Sequence, residues 1–286
     1  MMGTAVTFER PSSTKHPASI EAELNYLSPL SGRPRTYTYD PPPGVPRTTF
    51  RNESRRVRIR DMRSIAGGFS LDQHGFAVVD RRTAVNHFYD EDSVKQVYYA
   101  ESEALVRDLT GADRILIFDH TVRRRVQEAA DQAPGLRQPA FRVHVDYTEN
   151  SGVQRVRDLL PDEATALLAG RVQIINLWRP IRGPVLDTPL AIVDARSVAT
   201  ADLVPSDLVH RDRVGESYAV TFNPEHAWFY LSGMQSREAF LFKCYDSDVE
   251  SCSRFTPHSA FVDPTAPPEA LPRESIELRM LVFHYG

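Results

Sequence analysis

Two side chains that could bind a transition metal lie two residues apart in one stretch of the sequence. Between residues 141 and 148 apolar residues alternate with polar ones, which is the period of a β-strand. Side chains at i and i+2 of a strand point to the same face, so the imidazole of His144 and the carboxylate of Asp146 would lie close together. Imidazole and carboxylate are suitable ligands for a first-row metal. The spacing predicts two of three ligands, and the alternative is a hydrogen-bonded pair without a metal.

A second His-x-Asp sequence occurs at His210 and Asp212. It lies in the polar and charged stretch 204–213, where the residues do not alternate as they do in a strand. We therefore predict a loop there and assign no metal site to this copy.

The third ligand should be a histidine from a later strand that faces His144. His210 belongs to the charged stretch, and His284 lies close to the end of the sequence, where fraying disfavours a ligand. His258 stands shortly before the final predicted strand and is the preferred candidate. His226, which has aromatic neighbours, is the alternative.

An arginine and a serine follow His258 at the start of the last predicted strand. Arg273 and Ser275 stand about fifteen residues after that histidine, and Arg279 lies deeper in the strand. A guanidinium fork and a hydroxyl can bind the distal carboxylate of 2-oxoglutarate, whose other end chelates a metal. The alternative is that Arg279 forms an ion network with Glu277 and that Arg273 is solvated.

Composition excludes several classes of protein. The chain has 286 residues and a formal net charge of −4, with no basic patch that would bind nucleic acid. No apolar stretch approaches the length of about 20 residues that crosses a membrane. Two cysteines in so long a chain favour a reducing compartment, so we expect a cytoplasmic protein.

The chain is expected to divide near residue 55. Residues 1–55 are rich in proline, arginine, serine and threonine and should form an arm that wraps the body, with partial disorder as the alternative. Residues 56–286 are long enough to form a single domain with its own core.

Helical periodicity is confined to a few segments. It predicts a helix over 92–109 that ends at Gly111, and a second over 153–168 that Pro161 splits in two. A polar helix is also predicted over 122–133.

Most of the remaining sequence has the pattern of strands separated by turns. The predicted strands are 56–60, 114–120, 171–180, 190–194, 218–222, 226–231, 239–245 and 275–283, and residues 72–80 are predicted to be a turn that leads into a further strand. Together these elements predict a mainly β (α+β) protein, a double-sheet jelly roll or related cupin-like barrel supported by N-terminal helices.

The sequence resembles one family of oxygenases. That family contains the small component of cephamycin 7α-methoxylase, fungal gibberellin desaturase-like proteins and a fungal endoperoxide-forming oxygenase. The resemblance extends from about residue 20 to the end of the sequence, and its ending is specific. The stretches that carry it are 144–148, 176–181, 228–230, 243–247, 258–264 and 273–279.

The resemblance implies a double-stranded β-helix that uses Fe(II), 2-oxoglutarate and O2. Hydrogen abstraction from a small-molecule substrate, a secondary metabolite such as an antibiotic precursor, would lead to hydroxylation, desaturation or cyclisation. The implied metal ligands are His144, Asp146 and His258. Implied cosubstrate residues are Arg273, Ser275 and Arg279, with Asn176 and Arg179 beside the ligands and Tyr98, Tyr147 and Trp178 as pocket walls.

Two other functions remain open at this stage. The chain could be an accessory subunit that assists a methyltransferase-type partner, or a cupin-like metal enzyme that uses no 2-oxoglutarate. His258 stands 112 positions after Asp146, which is more than the core strands need, so we expect an insertion around 195–216. A homodimer or a partner enzyme is compatible with each of these functions.

Overall fold

Fourteen strands form two sheets in the computed structural model, which describes residues 17–29, 32–65, 68–126, 137–251 and 253–285. The strands are β1 (Ser19–Leu27), β2 (Arg35–Tyr37), β3 (Asn52–Asp61), β4 (Phe76–Asp80), β5 (Arg114–Arg124), β6 (His144–Val145), β7 (Arg171–Pro180), β8 (Leu190–Val193), β9 (Leu203–Val209), β10 (Val214–Val220), β11 (Trp228–Tyr230), β12 (Glu238–Asp246), β13 (His258–Ala260) and β14 (Glu274–His284).

The helices are short and few. They are α1 (Leu71–His74), α2 (Glu91–Ser93), α3 (Tyr99–Thr110), α4 (Glu149–Leu159) and α5 (Ala164–Leu167). A π-helical segment, Val94–Tyr98, joins α2 to α3, and short 3-10 turns occur at Met62–Ser64, Ala195–Ser197 and Thr200–Asp202.

The smaller sheet has the order β4-β12-β7-β14-β5 and is antiparallel throughout. Its residues alternate between two apolar clusters. Ile174 and Trp178 of β7 belong to the inner core, which also contains Ile192 and Phe229 of the other sheet. Because both sheets contribute side chains to it, the inner core holds the two sheets face to face.

The outer face of the smaller sheet packs on the helical segment 94–110. Ile175 and Leu177 of β7 contact an outer core that also includes Tyr98, Leu105 and Val106. Gly111 ends α3 in the left-handed conformation, with a φ of 67° that favours glycine. The prediction of a helix ending at Gly111 is confirmed.

The larger sheet has the order β1-β3-β11-β8-β13-β6-β10-β9-β2 and curls back on itself. Isolated bridges join Asn25 to Arg142 and Leu27 to Thr221, so β1 also contacts the region of β6 and β10. The curl encloses a third apolar cluster, which includes Val143. Val143 belongs to this cluster, whereas Val145 and Tyr147, further along the chain, belong to the inner core.

The second predicted helix is split as expected. Helix α4 ends at Leu159, just before Pro161, and α5 follows after a turn. Thr148 caps α4 because its hydroxyl accepts a hydrogen bond from the backbone N–H of Ser151 at 3.1 Å.

The mainly β fold with two sheets is confirmed, and two local predictions, the loop at 204–213 and the helix at 122–133, are wrong. Residues 203–209 form β9, because pairing with β2 and β10 stabilises a strand in a polar sequence. Residues 122–124 complete β5, held by cross-strand pairing with β14, whereas a helix was predicted over 122–133. Residues 127–133 of that helix lie outside the described residues. The arm region 1–55 contains β1, which pairs with β3 along its whole length; residues 1–16 are outside the described part.

The insertion expected around 195–216 consists of two 3-10 turns, β9 and the start of β10, which extend the larger sheet. Among the described residues, no helix is both long and apolar enough to cross a membrane.

Candidate metal and cosubstrate site

Two histidines face each other across neighbouring strands of the larger sheet. His144 of β6 is the direct antiparallel partner of His258 of β13, and their ring centroids lie 4.4 Å apart. Asp146 follows β6, with its Oδ1 3.5 Å from Nε2 of His144. One ligand atom from each of these three residues lies within 4.8 Å of the others. The structure thus brings together the His-x-Asp pair and the preferred third histidine.

Backbone carbonyls orient both imidazoles. Nδ1 of His144 lies 2.7 Å from the carbonyl oxygen of Arg142, and Nδ1 of His258 lies 3.1 Å from that of Thr256. A carbonyl oxygen only accepts, so each Nδ1 donates a hydrogen to it, and Nε2 is the nitrogen of each ring that faces the triad and can bind a metal. Burial and the neighbouring His144 lower the pKa of His258 to about 4. Both imidazoles are thereby prepared to bind a metal through Nε2.

The carboxylate of Asp146 is held in its ionised form. Although burial raises its pKa, the Arg279 guanidinium and the two histidines hold that pKa well below its usual range. Oδ2 of Asp146 accepts from Nε of Arg279 at 3.1 Å and from Nδ2 of Asn176 at 3.2 Å. Asn176 therefore lies beside the ligands, as expected.

Arg279 is occupied by three carboxylates. Besides Asp146, its guanidinium pairs with Asp119 of β5 and with Glu277 of β14. Glu277 in turn accepts two hydrogen bonds from Arg123, at 2.9 and 3.1 Å. The predicted ion network between Arg279 and Glu277 is present, and a guanidinium so engaged has little capacity left for a ligand.

Arg273 is placed differently. Its side chain is buried, so the alternative that it is solvated is wrong. One nitrogen donates to the carbonyl oxygen of Thr188 at 2.9 Å, and the guanidinium lies over the Trp178 ring, 5.3 Å from its centroid. Burial lowers the pKa of Arg273 to about 9, and no carboxylate within the described ranges forms an ion pair with it.

Two buried hydrogen-bond donors of Arg273 and Ser275 lack a partner among the described residues. They are Nε of Arg273 and the hydroxyl of Ser275, which lies at the start of β14, two residues later in the chain. Buried polar groups are nearly always hydrogen-bonded, and an orphan therefore indicates a ligand or an ion. Two orphans beside a buried cation fit the carboxylate of a ligand.

His226 lies in a separate polar cluster. Its Nε2 is 3.1 Å from Asp202, and its Nδ1 is 3.2 Å from the hydroxyl of Tyr26, which accepts from Trp228 at 2.7 Å. His210 also lies elsewhere, directly after β9, where its Nδ1 is 3.2 Å from the hydroxyl of Thr38. The structure brings neither histidine to the triad.

Arg179 does not reach the triad either. Its guanidinium donates to the hydroxyl of Tyr98 at 3.1 Å and to the backbone carbonyls of Arg81 and Ser236. Arg179 stands three positions after Asn176 in β7. Side chains an odd number of positions apart point to opposite faces of a strand. Arg179 and Tyr98 therefore belong to the outer face of the smaller sheet, while Trp178 belongs to the inner core.

Two residues of the site were missed in the sequence. Cys244 lies with its sulfur 3.6 Å from Oδ2 of Asp146, and Arg123 anchors Glu277. Alternation along β12 would have placed Cys244 on the face of Phe242, which contacts His258. Arg123 was missed because a helix was predicted at its position. A strand there would have placed Arg123 on the same face as Asp119.

The charges around the triad fit a divalent cation. Two guanidiniums, Arg123 and Arg279, face three carboxylates, Asp119, Asp146 and Glu277. The formal charges of these five side chains sum to one net negative charge. Two imidazoles and one carboxylate with open positions are the ligand set of non-haem Fe(II) oxygenases.

Comparisons with known proteins agree with this geometry. A family model described as "Oxidoreductase/YMDC permease-like domain" matches residues 24–283. The Fe(II)/2-oxoglutarate-dependent dioxygenase nvfI of Aspergillus novofumigatus is 33% identical over 272 residues, which cover 92% of this chain and 96% of that protein. The hydroxylase/desaturase efuI of Hormonema carpetanum is 35% identical over 257 residues, which cover 82% of this chain and 86% of that protein.

A solved structure is similar over nearly the whole chain. The iron and alpha-ketoglutarate-dependent endoperoxidase NvfI superposes with a TM-score of 0.86 at 32% sequence identity, covering 95% of this chain and all of that one. Fold and ligand set together define a non-haem iron oxygenase with a double-stranded β-helix. The chain belongs to the fungal Fe(II)/2-oxoglutarate-dependent oxygenase family, and it is an oxidoreductase.

Proposed function

We propose that His144, Asp146 and His258 hold Fe(II), and that Arg273 and Ser275 bind the distal carboxylate of 2-oxoglutarate. The observation that carries the proposal is the pair of orphaned buried atoms on Arg273 and Ser275, in a chain whose triad can bind a metal. Arg279 is assigned to Asp146 and not to the cosubstrate, because its donors already face carboxylates.

Electrostatics support both ligands together. The ion cluster around the triad carries one net negative charge, and Arg273 adds one positive charge nearby. A divalent cation alone would leave an excess of positive charge in a buried space, which is costly. A dianionic 2-oxoglutarate would neutralise it. The site is therefore balanced only when metal and cosubstrate are both bound.

Fe(II) with 2-oxoglutarate supplies the oxidising power to remove hydrogen from a small-molecule substrate by means of O2. The residues of this chain orient that chemistry. His144 and His258 present Nε2, Asp146 presents Oδ1, and the apolar inner core restricts water. Hydroxylation, desaturation and cyclisation all follow hydrogen removal, so this ligand set is compatible with each. A secondary metabolite is the proposed substrate class, because relatives are named hydroxylase/desaturase and endoperoxidase.

The arm is proposed to wrap the body near the site. The guanidinium of Arg142 lies over the ring of Phe50, which stands between β2 and β3. The guanidinium carbon is 4.9 Å from the ring centroid. Arg142 precedes His144 by two residues on the same strand face. The proposed division into an arm, 1–55, and an oxygenase domain, 56–286, places this contact between the two. We also propose that the protein acts in the cytoplasm, either as a homodimer or with a partner enzyme.

An anaerobic titration tests the ligands. Fe(II) and then 2-oxoglutarate are added to the metal-free protein, and the visible charge-transfer band of the chelate is recorded. The band should be lost in His144→Ala and in His258→Ala, and kept in His226→Gln, which preserves polar contacts in a cluster away from the triad.

The other outcomes select between the alternatives. Bound Fe(II) without a band would favour a cupin-like metal enzyme that uses no 2-oxoglutarate. Failure to bind any metal would favour an accessory subunit. A band that survives His258→Ala would contradict the proposed third ligand.

A further inference from the structure

We infer that Arg279 is a positioning residue that holds Asp146 as a one-oxygen metal ligand, and thereby keeps a coordination position open for 2-oxoglutarate. The inference deepens the proposed function and rests on it. It assigns Arg279 to the metal side of the site, whereas Arg273 is assigned to the distal carboxylate.

The two oxygens of Asp146 have different surroundings. Oδ1 faces the triad, 3.5 Å from Nε2 of His144. Oδ2 accepts a charge-assisted hydrogen bond from Arg279 at 3.1 Å and a second bond from Asn176 at 3.2 Å. The sulfur of Cys244 lies 3.6 Å from the same oxygen. With its directions filled by donors, Oδ2 is not free to turn toward a metal bound by Oδ1.

The hold on Oδ2 is strong because Arg279 is itself fixed. Asp119 and Glu277 pair with its remaining nitrogens, and Glu277 is anchored by the two hydrogen bonds from Arg123. A hydrogen bond between two charged groups is stronger than one between neutral groups, and a pre-oriented donor loses little side-chain entropy in forming it. A second metal bond from Asp146 would have to displace this contact.

The consequence concerns the number of open coordination positions. A facial triad of three single-atom ligands leaves three positions on a six-coordinate metal. A 2-oxoglutarate chelate needs two of them. An Asp146 that binds through both oxygens would fill one, in direct competition with the cosubstrate. Removing Arg279 should therefore weaken binding of any 2-oxo acid, whether or not that acid has a distal carboxylate.

A comparison of two arginines and two oxo acids tests this. Dissociation constants are measured anaerobically from the charge-transfer band for 2-oxoglutarate and for 2-oxobutyrate, which lacks the distal carboxylate. Arg279→Met should weaken both acids by a similar factor, about 10- to 100-fold, as for other residues that orient metal ligands. Arg273→Met should weaken 2-oxoglutarate alone.

A metal-only readout and two further variants complete the design. Mn(II) should still bind Arg279→Met with a changed EPR spectrum, because the freed carboxylate remains a ligand. Arg279→Lys, which keeps the charge, should partly restore the affinity for 2-oxobutyrate. Asp119→Asn is the matched control, since it removes one partner of Arg279 and leaves the bond to Asp146. Thermal unfolding of each variant shows whether the fold is kept.

Several results would overturn the inference. If Arg279→Met weakened 2-oxoglutarate and spared 2-oxobutyrate, Arg279 would bind the distal carboxylate. Unchanged affinities for both acids would show that the hold on Oδ2 is dispensable, and loss of Mn(II) binding in both Met and Lys variants would show that Arg279 only supports the fold. Failure of the wild type to give a band with either acid would count against the proposed function instead.

Discussion

His144 and His258 are direct cross-strand partners, with ring centroids 4.4 Å apart, although they are far apart in the chain. Directly opposite residues of an antiparallel pair have Cβ atoms about 4.5–5.5 Å apart. Register alone therefore projects both imidazoles into the same space. A rigid pair of strands is a better support for metal ligands than flexible loops would be, because each ligand is positioned by the backbone of its neighbour.

Metal binding should stabilise the fold through these two histidines. Mn(II) at a concentration about 100-fold above its Kd adds about 2.7 kcal/mol to the free energy of unfolding of a protein that binds it only when folded. We expect Mn(II) to raise the Tm of the wild type and of His226→Gln, and to leave the Tm of His258→Ala unchanged. Calorimetry with and without Mn(II) measures the effect. A metal-dependent rise in His258→Ala would remove His258 from the ligand set.

Arg273→Met should have opposite effects on the free and the bound protein. A buried cation without an acid partner is destabilising, so the metal-free, ligand-free variant should unfold at a higher temperature than the wild type. Its binding of 2-oxoglutarate should weaken by about 1.5–3 kcal/mol, the strength of a charge-assisted hydrogen bond. Thermal unfolding with and without Fe(II) and 2-oxoglutarate separates the two effects. Equal losses in both states would mean that Arg273 only supports the fold.

Gly152→Ala should destabilise the packing of α4 on the barrel. A Cβ at position 152 would lie 2.6 Å from the ring of Tyr245, well inside van der Waals contact. Overpacking of this kind costs about 1–3 kcal/mol and exceeds the gain in helix propensity of about 1 kcal/mol. Gln154→Ala, on the exposed side of the same helix, is the control. Denaturant unfolding that showed Gly152→Ala to be as stable as the control would contradict the tight packing.

The stability should depend on pH through His226. Burial lowers the pKa of this histidine although Asp202 is nearby, so the unfolded chain takes up its proton at a higher pH than the folded one does. The contribution of neutral His226 is therefore fully present above about pH 6.5, the value of the unfolded state, and is lost as the pH falls toward the folded pKa.

His226→Gln tests this dependence. Between about pH 7 and pH 5, its free energy of unfolding should fall less steeply than that of the wild type, which loses up to about 1.4 kcal/mol per pH unit for each such group. Denaturant unfolding at several pH values gives both slopes. Parallel slopes would show that His226 does not contribute to the pH dependence.

Local patterns in the sequence predicted much of the site. Alternation placed His144 and Asp146 on one face, and strand β7 was predicted at the bounds that the structure has, Arg171–Pro180. The same rule, applied to Asn176 and Arg179, would have separated them, because an odd spacing reverses the face. The prediction for Arg179 was wrong for that reason and not because the fold was unexpected.

The sequence by itself determined the elements whose cause is local: the two-residue period of the strands, the glycine that ends α3 and the spacing within the His-x-Asp pair. Only the tertiary structure decided between His226 and His258, since that choice depends on which strand pairs with β6. It also decided the surroundings of Arg273 and Arg279, which stand six residues apart in the chain. The carboxylates of β5 and of the residue after β6 neutralise Arg279, while Arg273 faces backbone carbonyls and keeps an unused donor. Which partner a charged side chain meets is set by strands that are distant in sequence, and a local pattern carries no information about them.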